Sequence, residues 1–352
     1  MHSLRRVFHI IVVSWLLMLL GDYIPIAKER RIRGEHAFIT DEHLAIFKMY
    51  DDTAAKAYTE MKQWLRSHFP PQKYIFGNSP TKDTKLCVGI ITARRVNAMV
   101  LYLRQIVSAL LTRMNVSHGN VYMHIYNVNA RPQDHGQEID LVREWFPVTN
   151  VKAPKPLASH MDLFTDQIQE SLDYSIIIRD LVKMGCHNAL LLEDDALPNE
   201  HWLEKTLDAI RFLESRKGEW FIVRLFVARW RGWYPKPPTK ITSYDQGFNT
   251  VAVLMNGKHM KRFADEMDAA VKSYLNGGSF FEAKDIFMGQ FKRSSGLPIE
   301  SLEPGPFQHT GLYSSRSARN IRSFAWYMAS KNFESEAKPI VFDRSRWNLP
   351  QH

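Results

Sequence analysis

From Lys85 onward, short near-continuous apolar runs alternate with stretches of helical period, and this alternation constrains the fold more than any other feature of the chain. LCVGIIT, NVYMHIYNV, NALLLEDD, EWFIVRLFV and FNTVAVLMN read as strands. Residues 100–112, 162–184, 199–212 and 257–274 read as helices between or after them. Strands with so few polar positions cannot keep one face in water. They predict an α/β fold, a parallel sheet covered by helices on both faces. Ligands of such sheets bind at the carboxyl ends of the strands. The rest of the composition is ordinary for 352 residues: 45% hydrophobic and 24% charged, which excludes wholesale disorder. No repeat of 20–50 residues is visible, so a solenoid is excluded too. Lys and Arg number 46 against 37 Asp and Glu, a net charge of +9 that suits an anionic partner: nucleic acid, a membrane surface or a phosphate-bearing substrate. The two cysteines, Cys87 and Cys186, exclude a disulfide-dense scaffold and a Cys-rich zinc module.

Ahead of this body, Arg5 and Arg6 precede the apolar run VFHIIVVSWLLMLL, which continues through Gly21-Asp22 into YIPIA and is closed by KERRIR. Counted over residues 7–27 it has the length of a membrane span. Counted to Leu20 it has that of a signal peptide, but Pro25 is a poor residue two positions before a cleavage at Ala27. The favoured reading is an uncleaved signal anchor over 7–27 with a cytosolic tail over 1–6. A cleaved leader and a buried helix are the alternatives. Basic residues on both flanks orient the span weakly. A short tail on the cytosolic side would place the body in the lumen, where Asn115-Val116-Ser117 is a glycosylation acceptor pattern. Leu44, Phe47, Tyr50, Ala54, Tyr58, Met61 and Leu65 then form a helical stripe that Pro70-Pro71 stop. The stripe fits a stem within 28–80, or a helix packed on the body.

The chemistry gathers at the end of the third strand. Glu193-Asp194-Asp195 follow Leu190-Leu191-Leu192, and three adjacent acids at the carboxyl edge of a sheet suit a hard divalent cation such as Mn²⁺ or Mg²⁺. The alternative is a solvated acidic turn before the next helix. His309, in LEPGPFQHTGLYSS, lies between two turn-forming stretches, placed to complete such a site or to touch a phosphate. In NGGSFFEAKDIFMGQF, Glu282 and Asp285 follow the flexible Gly277-Gly278, and Asp285 opens a helix. It is either a cap or a carboxylate able to take a proton from an attacking hydroxyl.

Four blocks in this order carry a family resemblance: CVGIITARR; QESLDYSIIIRDL leading to ALLLEDDALPNE; WFIVRLF; and AKDIFMGQF leading to EPGPFQHTGLYSS. From about Leu86 to Ser315 the chain resembles glycosyltransferases of the GT-A fold. Among these it is most similar to the Golgi N-acetylgalactosaminyltransferases that add a side-branch GalNAc to GPI anchors (the post-GPI-attachment to proteins factor 4 family). A more distant likeness is to N-acetylglucosaminyltransferase IV. The resemblance implies a catalytic domain over 81–325, a tail over 326–352, and a single-pass type II Golgi membrane protein with a lumenal body. It implies a UDP-sugar donor and a GPI-anchored or other glycan acceptor. Asp195 would be the main metal ligand, with Glu193 and Asp194 supporting it and the donor. His309 would touch the metal or the diphosphate. Thr92 and Arg95 would meet the nucleotide, and Asp173 and Tyr174 would lie beside the donor. Asp285 would be the catalytic base, and direct attack on an α-linked donor would invert the anomeric centre.

The chain departs from the family in two respects, of which one is that it has fewer cysteines than the animal members. Animal members carry two membrane segments after the strand matching WFIVRLF, where this chain reads VARWRGWYPKPPTKITSYDQGF, too short and polar to cross twice. Arg224 just before that stretch, and Arg229 and Arg231 within it, accompany Trp230, Trp233 and Tyr234, a mixture that suits sugar stacking with phosphate pairing, a membrane interface, single-stranded nucleic acid or plain packing. No nucleic-acid motif accompanies it, and a lumenal location would exclude that partner. Cys87 and Cys186 precede strands that neighbour each other in GT-A sheets; a disulfide and two buried thiols both fit. A transferase with another acceptor, and a non-catalytic binder on the same fold, remain as the other functions.

Overall fold

The apolar runs become strands because every one of their positions can be buried. The computed structural model describes residues 41–68, 74–95, 101–114, 120–129, 131–152, 165–226, 240–243, 250–278, 283–311 and 338–344. Strand β1 (Leu86–Thr92) is flanked by β2 (Val121–Asn127) and β4 (Asn188–Glu193), both parallel to it, and β3 (Val148–Asn150) extends the sheet beyond β2, again in parallel. Beyond β4 the direction changes. Strand β8 (Ala252–Asn256) runs antiparallel to β4 and to β6 (Ile222–Arg224). Strand β9 (Ile299–Glu303) is parallel to β6, and β7 (Lys240–Ser243) closes the edge antiparallel to β9. The order is β3-β2-β1-β4-β8-β6-β9-β7. The sheet is thus mostly parallel with antiparallel pairings on one side. An apolar run such as residues 252–256 is buried on both faces in either direction, so its composition carried no sign of the reversal.

Alternation along the strands sends side chains to two cores. Leu86, Val88, Ile90, Leu190 and Leu192 point into one; Cys87, Ala189 and Leu191 point into the other. The first core is covered by α1 (Asp41–His68), α2 (Tyr102–Thr112), α3 (Gly136–Val142) and α5 (Trp202–Ser215). The second is covered by α4 (Thr165–Lys183), α6 (Gly257–Leu275) and α7 (Lys284–Ser295). Helix α1 buries Tyr50, Ala54, Tyr58, Met61 and Leu65 in the first core and packs along α2. The helix is thus packed on the body, which is compatible with a stem leading into it. Full burial of a Met or Leu side chain is worth about 1.5–3 kcal/mol, so α1 contributes to the stability of the body.

Cys87 on β1 and Cys186, just before β4, are joined in a disulfide with Cα atoms 5.9 Å apart, which settles the choice left open above. Among the described residues no helix is long and apolar enough to cross a membrane. Residues 7–27, the acceptor pattern 115–117, Glu282 and the aromatic stretch 229–234 lie outside the described residues.

Candidate active site

The register of the central strands brings two carboxyl ends together. Ile91 lies opposite Glu193, so the last residue of β1 and the acidic triplet share one edge. The backbone there is tied on both sides: Asp194 N–H donates to Ile91 O at 3.0 Å and Glu193 N–H to Val251 O at 3.0 Å. The chain then turns into β5 (Ala196–Pro198), which pairs antiparallel with β10 (Phe307–His309). This small second sheet sets His309 opposite Ala196 and therefore beside Asp195. Phe307 packs on the buried Trp202 ring, 5.8 Å between centroids, and anchors the pairing to α5.

A strap after β10 locks the approach. The N–H and the hydroxyl of Thr310 both donate to Asp195 O, at 2.8 and 3.0 Å. Gly311 then passes so close that a Cβ there would fall 2.0 Å from Asp195 Oδ2 and 2.9 Å from His309 Nε2. His309 Nε2 itself lies 3.1 Å from Asp195 Oδ2, and both side chains are 2% exposed.

The three acids have separate surroundings. Asp194 accepts from Thr92 Oγ1 at 2.8 Å, from Ala93 N–H at 3.3 Å and from Arg95, so it fixes the chain leaving β1. Asp195 accepts from Arg95 Nη2 at 2.9 Å. Glu193 accepts from Thr250 Oγ1 at 2.7 Å and from Lys284 Nζ at 3.2 Å. Glu193, Asp195 and His309 can each offer one ligand atom, all within 4.8 Å of one another. Two carboxylates and an imidazole are a donor set that a divalent ion accepts.

Two buried cations balance this charge. Burial works against the charge on Arg95, but Asp194 and then Asp195 outweigh it and hold the guanidinium firmly protonated. Its guanidinium lies over the Tyr102 ring, 4.5 Å from the centroid. Burial likewise opposes the charge on Glu193, yet Lys284 leads the groups that carry its carboxyl below the ordinary range. Lys284, 4% exposed, also donates to Glu170 Oε1 at 2.5 Å and stands 5.2 Å from the centre of the Tyr174 ring. Tyr174 is buried, and burial raises its hydroxyl pKa. Asp173, next to it, accepts from Gln169 at 3.2 Å, and burial pushes its carboxyl up to about 7.

Thr92, Arg95, Glu193, Asp194, Asp195 and His309 are thus brought into one cluster, with Asp173 and Tyr174 on α4 joined to it through Lys284. Asp285 opens α7 beside Lys284. Its carboxylate accepts from Ile286 N–H at 3.0 Å, and among the described residues no contact links it to the acids. Several partners were not anticipated. Lys284 sits next to Asp285 in the AKD triplet, where a lysine at a helix start reads as solvated. His135 Nε2 lies 2.7 Å from Thr92 Oγ1 and His135 Nδ1 lies 3.9 Å from Glu138, extending the cluster under α2. Burial, then Asp194, lifts the Glu138 carboxyl to about 7 while its Oε2 accepts from Leu103 N–H. No periodicity marks either residue. Only their spacing of three in a polar stretch could have drawn attention to them.

The family model described as GPI-N-acetylgalactosamine transferase PGAP4 matches residues 86–275, more than half of the chain and the whole span from β1 through α6. A search of curated proteins finds no significant match. Among solved structures, the chain is similar to a 4-diphosphocytidyl-2C-methyl-D-erythritol synthase from Anaerococcus prevotii, with 12% identity, a TM-score of 0.39, and coverage of 65% of this chain and 92% of that one. It is similar to S. aureus TarS 1-349 at 10% identity and a TM-score of 0.38, over 64% of this chain and 59% of that one. Mouse xyloside xylosyltransferase 1 gives 12% identity and a TM-score of 0.36, over 62% and 84%. On the family match, the chain belongs to the GPI-N-acetylgalactosamine transferase PGAP4 family and is a glycosyltransferase.

Proposed function

We propose that this glycosyltransferase moves GalNAc from UDP-GalNAc onto the glycan of GPI anchors with inversion, in the Golgi lumen, held at the membrane by residues 7–27. The observation that carries the reading is the convergence of Glu193, Asp195 and His309 at the carboxyl edge of the sheet, within the span that matches the family. These three residues would hold a divalent ion such as Mn²⁺ or Mg²⁺. When bound, such an ion supplies charge stabilisation for the departing diphosphate. Arg95 and the end of β1 at Thr92 face the nucleotide. Asp173 and Tyr174 line the donor side. Asp194 holds the β1 end in register with the acids through Thr92 and Arg95. The acceptor hydroxyl attacks the anomeric carbon, the bond to the diphosphate breaks, UDP leaves, and Asp285 takes the hydroxyl proton. An α-linked donor then gives a β-linked product. The Cys87–Cys186 disulfide supports a lumenal body, because such bonds persist in oxidising compartments. The catalytic domain spans 81–325, with 28–80 leading into it, 326–352 trailing it and 1–6 on the cytosolic side.

S. aureus TarS 1-349 has been solved in complex with UDP-GlcNAc. A second reading, transfer to an N-glycan, wall glycan or glycolipid, is favoured by the short stretch 227–249, which leaves no room for two membrane segments. The test is binding and hydrolysis of UDP-GalNAc, UDP-GlcNAc, UDP-Gal and UDP-Glc by the purified protein, with Mn²⁺ and with EDTA. Metal-dependent preference for UDP-GalNAc supports the GalNAc reading. Preference for another donor moves the function to the second reading, and binding of none refutes both.

A further inference from the structure

The proposed cation site already contains cations. Arg95 sits on Asp194 and Asp195, and the Lys284 ammonium sits on Glu193. A divalent ion at Glu193, Asp195 and His309 would therefore compete with Lys284 for the Glu193 carboxylate. A buried ammonium left without its counter-ion is strongly disfavoured, so displacement needs a second place for the charge. The structure supplies one. Lys284 Nζ is 2.5 Å from Glu170 Oε1 on α4 and 3.2 Å from Glu193 Oε1, so the shorter contact is the one away from the cation site. The Tyr174 ring beneath it offers a further favourable face for the ammonium. Thr250 Oγ1, at 2.7 Å, keeps Glu193 Oε1 in place whichever cation it meets.

We propose that Lys284 is an exchangeable counter-ion of this site: it neutralises Glu193 until a divalent cation takes that carboxylate, and then remains on Glu170. Lys284 is a positioning residue in this scheme, not a catalytic one. It precedes Asp285 in the first turn of α7, so the exchange connects cation entry to the helix that carries the proposed base. The inference rests on the metal site proposed above and adds residues that lie outside it.

Two substitutions should shift cation affinity in opposite directions, which a merely structural role would not do. The probe is Mn²⁺ alone, titrated into the purified full chain without donor and followed by the loss of the free-ion electron paramagnetic resonance signal. A neighbouring charge moves the proton affinity of a carboxylate by about one to three pK units, so about tenfold is the lower end of the scale for a cation. Lys284→Met removes the competitor, and Mn²⁺ should bind about tenfold tighter. Lys284→Arg keeps the charge and should stay near wild type. Glu170→Gln removes the second place for the ammonium, and Mn²⁺ should bind several-fold more weakly. If Lys284→Met does not fold, the sign of the Glu170→Gln shift decides. Unchanged or weaker binding in Lys284→Met, or tighter binding in Glu170→Gln, overturns the exchange while leaving the metal site standing if Asp195→Ala still abolishes Mn²⁺ binding. A wild-type chain that binds no Mn²⁺ overturns the metal site, and the exchange with it.

Discussion

Gly311→Ala is the sharpest steric test of the site. The added Cβ would lie 2.0 Å from Asp195 Oδ2 and 3.0 Å from Asp195 Cγ, far inside ordinary contact. Both atoms belong to a side chain that is 2% exposed, so there is no open space to rotate into. One of two things must give. If the carboxylate turns away, it loses His309 at 3.1 Å and Arg95 at 2.9 Å. If the strap lifts, the two Thr310 bonds to Asp195 O at 2.8 and 3.0 Å are lost. Either route removes two hydrogen bonds, with net values of about 1 kcal/mol each for neutral pairs and about 1.5–3 for charged ones. The expected loss of stability is about 3 kcal/mol, or about 6–12 °C in Tm at about 2–4 °C per kcal/mol. Displacing groups that orient a ligand set costs about 10–100-fold in activity. The assay is a thermal melt beside donor hydrolysis. Gly136→Ala, whose Cβ would meet nothing within 4 Å at a helical φ and ψ, serves as the control and should leave turnover unchanged and Tm unchanged or slightly raised. A Gly311→Ala protein with wild-type Tm and wild-type turnover would refute the claim that the strap holds Asp195.

Two further outcomes follow from the core and from the buried carboxyls. Cys87 and Cys186 are 99 residues apart in sequence, and closing a loop of that size is worth about 4–5 kcal/mol in the chain-entropy account. The Cys87→Ser, Cys186→Ser double variant should lose about that much in denaturant titration, and an unchanged midpoint would contradict it. Glu138 has its carboxyl raised from 4.5 to about 7, so the folded state holds an extra proton between those values. Stability should therefore fall as pH rises from about 4.5 to about 7 and the penalty should be complete above that range. Glu138→Gln should flatten this part of the profile, and parallel wild-type and variant curves would show that the burial penalty is not there.

Where a residue's role was local, it was legible in the chain; where it depended on partners far away, it was not. LCVGIIT forms β1 over the whole run because all positions of this central strand but the half-buried Ile91 are buried, and an apolar run of seven has few other fates. The triplet Glu193-Asp194-Asp195 announced a charged site, since three acids directly after Leu190–Leu192 cannot be packed together without counter-charges. Strands of three residues, such as Val148–Asn150 and Ala196–Pro198, have no period to read. Yet β5 is what pairs with β10 and delivers His309 to Asp195 across 114 positions of chain. Lys284 was hidden by its neighbourhood: a polar residue at a helix start is ordinarily solvated, and only the folded chain sets Glu170 and Glu193 against it. The direction of β8 escaped for a different reason, because burial on both faces is indifferent to strand polarity.

The central claim is that the acids at the end of β4 are the transfer centre. It is tested most directly by Asp195→Ala in an assay of labelled GalNAc transfer from UDP-GalNAc to a GPI-glycan acceptor, with a thermal melt on the same sample. Asp194 still holds Arg95 and Thr92 in that variant, so the protein should fold with a cooperative melt. The account predicts that transfer is abolished in that folded protein. A folded Asp195→Ala chain with near-native transfer would contradict it and return the triplet to a structural turn.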